Sequence, residues 1–354
     1  MKKKKVSKKR RAAFINYGIV ICFFILFQIL ASTGHLGSSL KGQLIPICAY
    51  IIMALSLNLV VGISGELSLG HAGFMSVGAF TGVVVAQSMA GSVPNGLLRL
   101  ILALIIGATV AGVAGILIGI PVLRLRGDYL AIVTLAFGEI IKNVLNCLYI
   151  GVDSRGLHFS LKDEPSLHLE PGGKTILSGP MGALGVTKLS TFFVGIVLIL
   201  LVLFYIQNLV NSRPGRAIAA IRDNRIAAEA CGIPVTKYKL MAFVTSAAMA
   251  GAAGALYALN YSTVVPKKFD FNTSILVLVF VVLGGIGNLR GSIIAAALLT
   301  VLPELLRQFQ DYRMLVYAIV LILVMLITNN EKAMTFVRSK IKAFTEKTRK
   351  EAAR

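Results

Sequence analysis

Leu98-Arg-Leu-Ile-Leu-Ala-Leu-Ile-Ile-Gly107-Ala-Thr-Val-Ala111-Gly-Val-Ala-Gly115-Ile-Leu-Ile-Gly119-Ile-Pro121 carries a single charge, Arg99, in 24 residues. A helix crossing the hydrocarbon core of a bilayer needs about 20 apolar residues. Only helices and closed barrels satisfy their backbone in lipid, and nothing here alternates as a barrel strand does. The stretch therefore reads as a transmembrane helix. Gly107, Ala111, Gly115 and Gly119 recur every fourth residue, so one face is a groove of small side chains that lets another helix approach closely. Ala247, Gly251 and Ala255 repeat the spacing further along.

The pattern extends over the chain. Of 354 residues, 56% are hydrophobic and 14% charged, and mean hydropathy is +0.81, against about 25% charged in soluble proteins. Ten spans are expected: 14–31, 44–62, 67–88, 98–121, 129–150, 190–210, 240–260, 274–289, 291–306 and 313–328. The eighth and ninth are short, which tilt, bilayer thinning or half-helices accommodate. The fold class is an all-α polytopic membrane protein. It has a basic tail 1–13, one transmembrane domain 14–328 and a second basic tail 329–354.

Charge orients these spans. With the N-terminus inside, 25 of the 36 Lys and Arg residues fall on the inner side and 10 outside. The positive-inside rule favours this arrangement over its inverse. Both tails are then cytoplasmic, loop 151–189 is external and segment 211–239 is cytoplasmic. The formal net charge of +21 follows from juxtamembrane clusters that orient helices and meet anionic headgroups; no soluble domain is left to bind nucleic acid. Phe14–Ala31 reads as an uncleaved first helix, for no small-residue cleavage site follows it. There is no tryptophan, so Tyr17, Tyr129, Tyr149, Tyr238, Tyr261 and Tyr312 near span ends are the expected interface anchors.

Catalytic signals fail. Gly172-Gly173-Lys174-Thr175 resembles the end of a phosphate-binding loop, but His168 stands where the pattern requires its first glycine. His35, His71, His158 and His168 have no paired-ligand spacing, and His158 and His168 are expected to be solvated. Cys22, Cys48, Cys147 and Cys231 form no disulfide framework in the external loop. The chain needs no cofactor of its own and reads as a transporter subunit, not an enzyme.

Two glycine-interrupted segments break the apolar runs: Gly62-Ile-Ser64-Gly65-Glu66-Leu-Ser68-Leu-Gly70-His71 and Gly284-Gly285-Ile-Gly287-Asn288-Leu-Arg290-Gly291-Ser292. Paired interruptions of this kind point to a transporter site; they are equally read as tight turns with Glu66 and Arg290 in water. Ser64, Gly65, Glu66, Ser68, His71, Thr134 and Glu139 are the candidate pathway residues. Glu139 and Lys142, three apart on one helix, are expected to form an ion pair.

Segment 211–239 is too polar to cross lipid and too regular to be a linker. Ser212-Arg213-Pro214 opens a helix, with Ile218 and Ile221 on one face. Asp223 is expected to cap a second short helix through Ile226, Ala227 and Ala230, ended by Gly232 and Pro234. Arg213, Arg216, Arg222, Arg225 and Glu229 line the polar sides. Such a pair suits a groove on a soluble partner; the rival is a helix lying on lipid.

Ala227-Ala228-Glu229-Ala230-x-Gly232-Ile233 resembles the coupling segment of ABC importer permeases. Gly62-x-x-Gly65-x-Leu-Ser-Leu-Gly-His71-Ala-x-Phe74, Arg124-Leu-Arg-Gly-Asp-Tyr-Leu-Ala-Ile-Val-Thr-Leu-Ala-Phe-Gly-Glu139, Gly215-Arg-Ala-Ile-Ala-Ala-Ile-Arg222 and Gly284-Gly-Ile-Gly287 together resemble the LivM-type branched-chain amino-acid permeases, from about Leu44 to Tyr317. The resemblance implies a ten-helix importer fold with spans 2–5 and 7–10 as inverted repeats, in a bacterial cytoplasmic membrane. It implies a second, LivH-like permease, an external substrate-binding protein and two cytoplasmic ATPases that hold ATP and Mg. It assigns ATPase coupling to Arg222, Ala228, Glu229, Ala230 and Gly232. Related permeases carry urea or short amides, and an ion-coupled carrier or channel is the reading from another class.

Overall fold

A computed structural model of the chain describes residues 16–25, 27–29, 38–125, 127–306, 312, 315–316, 318–319, 322 and 326. The tails 1–13 and 329–354 and most of the tenth span lie outside the described residues. The chain divides into two compact units, Met1–Leu298 and Leu299–Arg354; of the second, residues 299–305 are the end of a helix.

The first unit is a helical bundle. Its helices are α1 (Ser38–Asn58), continued by a π turn (Leu59–Ser64), α2 (His71–Ser88), α3 (Gly96–Val122) and α4 (Asp128–Asn146). Then follow α5 (Phe192–Asn211), α6 (Arg213–Asp223), α7 (Arg225–Ala230), α8 (Val235–Ala258), α9 (Phe271–Gly284) and the start of α10 (Leu289–Leu305). Among the described residues five helices are long and apolar enough to cross a membrane: Leu40–Ser64, Gly96–Val122, Tyr129–Asn146, Phe192–Asn211 and Val235–Ala258. The expected span 67–88 begins late, at His71, because 65–70 is not helical. The expected spans 274–289 and 291–306 appear as the shorter helices α9 and α10, parted at Gly285, whose φ is 91°.

Burial sorts the helices. In α1 and α8 the most apolar windows are 83% and 72% buried, whereas in α3 and α5 they are 33% buried. Helices α1 and α8 thus form the centre, while Leu98, Ile105, Val113, Leu117, Leu201 and Phe204 point outward, as a lipid-facing shell requires. The two small-residue stripes meet each other. A Cβ on Gly251 of α8 would stand 2.3 Å from the Ala111 Cβ of α3, and one on Gly115 of α3 would stand 2.7 Å from the Ala247 Cβ.

The all-α expectation needs correction. Helix α4 ends at Asn146, and the chain then forms a three-stranded antiparallel sheet, order β2-β1-β3, from β1 (Tyr149–Asp153), β2 (Gly156–Ser160) and β3 (Lys174–Ser178). Tyr149-Ile-Gly-Val-Asp153 is short and rich in aromatic and β-branched residues, which favour strands, and Ser154-Arg155 closes a tight hairpin with Gly156 at φ 128°. The backbone beyond β3 pairs with the exit of α8: Ala183 with Val264, Val186 N–H with the Ser262 carbonyl, Leu189 N–H with the Leu259 carbonyl. The sheet therefore sits at the C-terminal end of α8, opposite α6 and α7, which precede its N-terminal end.

His158, expected to be solvated, is 29% exposed and also has a carboxylate partner. His158 Nε2 lies 3.0 Å from Asp153 Oδ2, and Asp153 Oδ1 accepts the Arg155 N–H at 2.8 Å. Burial raises the Asp153 carboxyl, but the Arg155 and Glu170 N–H groups and His158 outweigh it and hold it below the ordinary carboxylate value. A depressed folded value contributes stability above the unfolded value of about 3.9, and that contribution is lost as pH falls through the folded value. Hydrogen exchange of the Arg155 and Glu170 amides is expected to accelerate, beyond the intrinsic pH effect, as pH is lowered below about 4. Asp153→Asn should remove the dependence; if the variant keeps it, the carboxyl is not the group that titrates.

Candidate translocation and coupling site

Asn58 closes α1 inside the bundle and is fully buried. Its amide donates to Ser292 Oγ at 2.8 Å and its Oδ1 accepts the Gly287 N–H at 2.8 Å. These bonds draw the two glycine-interrupted segments together. The approach requires glycine at position 62, where a Cβ would lie 2.0 Å from Asn58 Oδ1 and 2.3 Å from the Gly287 nitrogen. Directly after Asn58 the helix widens into the π turn, a feature common at functional sites. Gly65 ends it in the left-handed region at φ 76°.

From there the chain runs back into the protein without helical hydrogen bonding. Glu66 forms an ion pair with Lys239 of α8, with the two side chains 12% and 11% exposed. Leu69 N–H donates to Thr134 Oγ1 at 3.1 Å. Helix α2 then starts at His71 with no side-chain cap. His71 Nε2 lies 2.8 Å from Ser56 Oγ and 3.4 Å from Ser246 Oγ. Lys239 and Ser246 are seven residues apart on α8, about 10 Å along the axis, so the break carries the chain that far inward. Ser64, Ser68, His71 and Thr134 are all buried. Ser68 Oγ and His71 Nδ1 have no hydrogen-bond partner among the described residues. A buried donor or acceptor left unpaired costs about 1–3 kcal/mol.

Ser64, Gly65, Glu66, Ser68, His71 and Thr134 thus share one break between α1 and α2, and Thr134 joins it from α4. Glu139 stands apart from this arrangement: it binds Lys142, as expected, and accepts the Phe271 N–H at 3.2 Å, placing its charge at the start of α9 where the helix dipole favours it. Glu66 and Arg290 are not simply in water, since Arg290 Nε donates to Asn16 Oδ1. Sequence reasoning missed Ser56, Asn58, Lys239 and Ser246. The available signal was a polar residue inside an apolar run, which costs stability unless paired.

At the same end of α8 lie the short helices. Ser212 Oγ accepts the Gly215 N–H at 3.2 Å and caps α6. The cap of α7 is Asn224, not Asp223 as expected: Asn224 Oδ1 accepts the Ala227 N–H at 3.0 Å, while Asp223 closes α6 and holds Arg222. Asn224 is extended, at φ −156°, the geometry an N-cap needs. Gly232 follows α7 at φ 75°, with its N–H on the Glu229 carbonyl and the Ile233 N–H on that of Ala228, a Schellman stop. Ile221, Ala228, Val235, Ile233 and Tyr238 form one apolar cluster.

This cluster divides the predicted coupling residues. Ala228 is buried and serves the packing, whereas Glu229, Ala230 and Gly232 are exposed. Ile226 is 80% exposed beside them, and Arg225 pairs with Glu229 at 2.9 Å. Arg222 reaches inward, its Nη1 donating to the Gly62 carbonyl at 2.9 Å. Among the described residues no group of three His, Cys, Asp or Glu side chains could hold a metal.

Apolar helices around a buried non-helical break, with two short helices presented at one end, make a helical membrane protein. The sequence agrees: residues 40–325 match the family described as branched-chain amino acid transport system / permease component. The chain belongs to that family and is an integral membrane permease component, not an enzyme. It is 40% identical over 286 residues to the high-affinity branched-chain amino acid transport system permease protein LivM of Salmonella typhimurium, covering 78% of this chain and 66% of the relative. The LivM protein of Escherichia coli K12 is 39% identical over 293 residues, with the same coverage. The ribose import permease RbsC of Escherichia coli K12 is 24% identical over 290 residues, covering 79% and 82%. The chain thus spans just under two thirds of the two LivM relatives. No solved structure matches it.

Proposed function

We propose that this chain is a permease subunit of an ATP-driven importer of branched-chain amino acids. The observation that carries the reading is its 40% identity to a LivM permease over 286 residues, a stretch long enough to include both the glycine break and the short helices. In this reading the chain lies in a bacterial cytoplasmic membrane with both termini inside. Its ten spans include 2–5 and 7–10 as inverted repeats. It works beside a second, LivH-like permease, two cytoplasmic ATPases that hold ATP and Mg, and an external substrate-binding protein.

Each part of the chain then has a task. The exposed face of α6 and α7, with Ile226, Glu229, Ala230 and Gly232, docks an ATPase. The break at Ser64, Gly65, Glu66, Ser68, His71 and Thr134 lines the pathway. Nucleotide-driven movement alternates access to it from the two sides of the membrane. The resemblance to a ribose permease means that the scaffold alone does not select the cargo.

Uptake of labelled leucine by proteoliposomes holding the whole transporter tests the cargo. Excess valine and isoleucine should suppress uptake and urea should not; competition by urea without valine overturns the substrate assignment. Uptake that follows a proton gradient and ignores ATP overturns the class. Glu229→Lys tests the docking face. Uptake and recovery of the ATPase with the permease are expected to fall about tenfold or more, the ~1.4 kcal/mol of a lost interface anchor. Because Glu229 is exposed, thermal stability should shift by no more than about 0.5 kcal/mol.

A further inference from the structure

Arg222 is a residue of the short helices that, although 44% exposed, reaches back to the bundle. From the last turn of α6 its Nη1 donates to the Gly62 carbonyl at 2.9 Å, 160 residues away in sequence. Its Nε and Nη2 both bind Asp223 Oδ1, at 3.2 and 3.0 Å. The guanidinium therefore spans two acceptors on two elements. Its stem lies against Gly65, where a Cβ would stand 2.6 Å from Arg222 Cγ.

The place it reaches is mechanically distinctive. Carbonyls in the last turn of a helix lack intrahelical partners and carry the negative end of the helix dipole, so a cation is well placed there. Gly62 belongs to the π turn, and it touches Gly287 of the second interrupted segment and Asn58. Four residues on, Glu66 is held by Lys239 of α8. Around this point the short helices, the pathway break and the second glycine segment all meet. Behind Arg222, Ile221 and Ala228 pack with Val235 of α8, which makes α6, α7 and the start of α8 one unit.

We propose that Arg222 is a positioning residue that transmits movement of the α6–α7 docking helices to the pathway, its guanidinium fork linking the Gly62 carbonyl of the π turn, through Nη1, to Asp223 of α6, through Nε and Nη2. This rests on the reading of α6–α7 as an ATPase dock. A π turn with Gly62 inside it and Gly65 closing it in the left-handed region is a suitable element to be moved. Its wider i→i+5 spacing is a local irregularity of the helix, and Gly62 and Gly65 put no side chain between it and Gly287 or Arg222. Lysine cannot replace the fork, because a single ammonium does not reproduce its planar donor geometry.

The test uses the complete transporter with Arg222→Ala and Arg222→Lys. Recovery of the ATPase with the permease and ATP hydrolysis are expected to stay within about twofold of the parent, while leucine uptake per ATP hydrolysed falls about tenfold or more (~1.4 kcal/mol of coupling). Uptake per ATP that stays unchanged overturns the inference. So does a loss of uptake matched by equal loss of assembled complex in both variants, which makes Arg222 merely structural. The Glu229→Lys variant separates this inference from the reading beneath it. If Glu229→Lys leaves ATPase recovery intact, the dock is misassigned. If it abolishes recovery while Arg222→Ala transports normally, the dock stands and the transmission route falls.

Discussion

Gly78→Leu is expected to leave almost no folded protein. Helices α2 and α8 touch backbone to backbone at this point. A Cβ on Gly78 would stand 2.1 Å from the Gly251 carbonyl oxygen and 2.3 Å from the Gly251 Cα. Neighbouring turns are as close: a Cβ on Gly254 would meet the Met75 oxygen at 1.9 Å, and one on Gly82 would meet the Ala255 Cβ at 2.6 Å. The obstacle is backbone, so no rotamer change relieves it. Overpacking a core usually costs about 1–3 kcal/mol where side chains can yield; here the helices must separate, and the cost should exceed about 3 kcal/mol. In lipid, close packing is the main force between helices, and separation removes it along the whole contact. The measurement is the yield of monodisperse protein in detergent and its melting temperature. Gly91→Ala, where nothing lies within 4 Å, is the control. Parent-like melting of Gly78→Leu would refute the contact.

Breaking the Glu66–Lys239 pair should rank next. Both side chains are nearly enclosed, at 12% and 11% exposure, so removing one leaves the other charge buried without its counter-charge. Such a loss costs about 3–5 kcal/mol, whereas replacing both members with apolar residues of similar volume is often neutral. Glu66→Leu and Lys239→Leu are each expected to lower thermal stability strongly, and the double variant should recover most of the loss. A double-mutant cycle reads this directly, and additive single effects would show that the two groups do not depend on each other. The recovered double variant should still transport poorly, because Glu66 fixes the break that precedes Ser68 and His71.

The legible part of the site was local. The segment around Gly232 was readable because a helix stop is written in the residues that make it: a glycine that adopts φ 75° and a proline that cannot continue. The cap was misplaced by one residue, to Asp223, since both Asp223 and Asn224 have suitable side chains. The cap is Asn224 because Asp223 is still helical in α6, while Asn224 is the extended residue directly before α7. The sheet at 149–178 was missed because three five-residue strands leave only a weak pattern beside long apolar helices.

Class, helical character and the position of the polar interruptions are determined by the sequence alone, because the bilayer imposes a length and a polarity on every segment. The two small-residue stripes were equally visible, each on its own helix. That they face each other, Gly251 against Ala111, was decided by tertiary structure. So was the meeting of Asn58, Gly62, Arg222 and Gly287, whose members come from three parts of the chain. Hydropathy records whether a segment prefers lipid. It holds no record of which buried polar group answers another, since that pairing exists only once the helices have packed and water has been excluded.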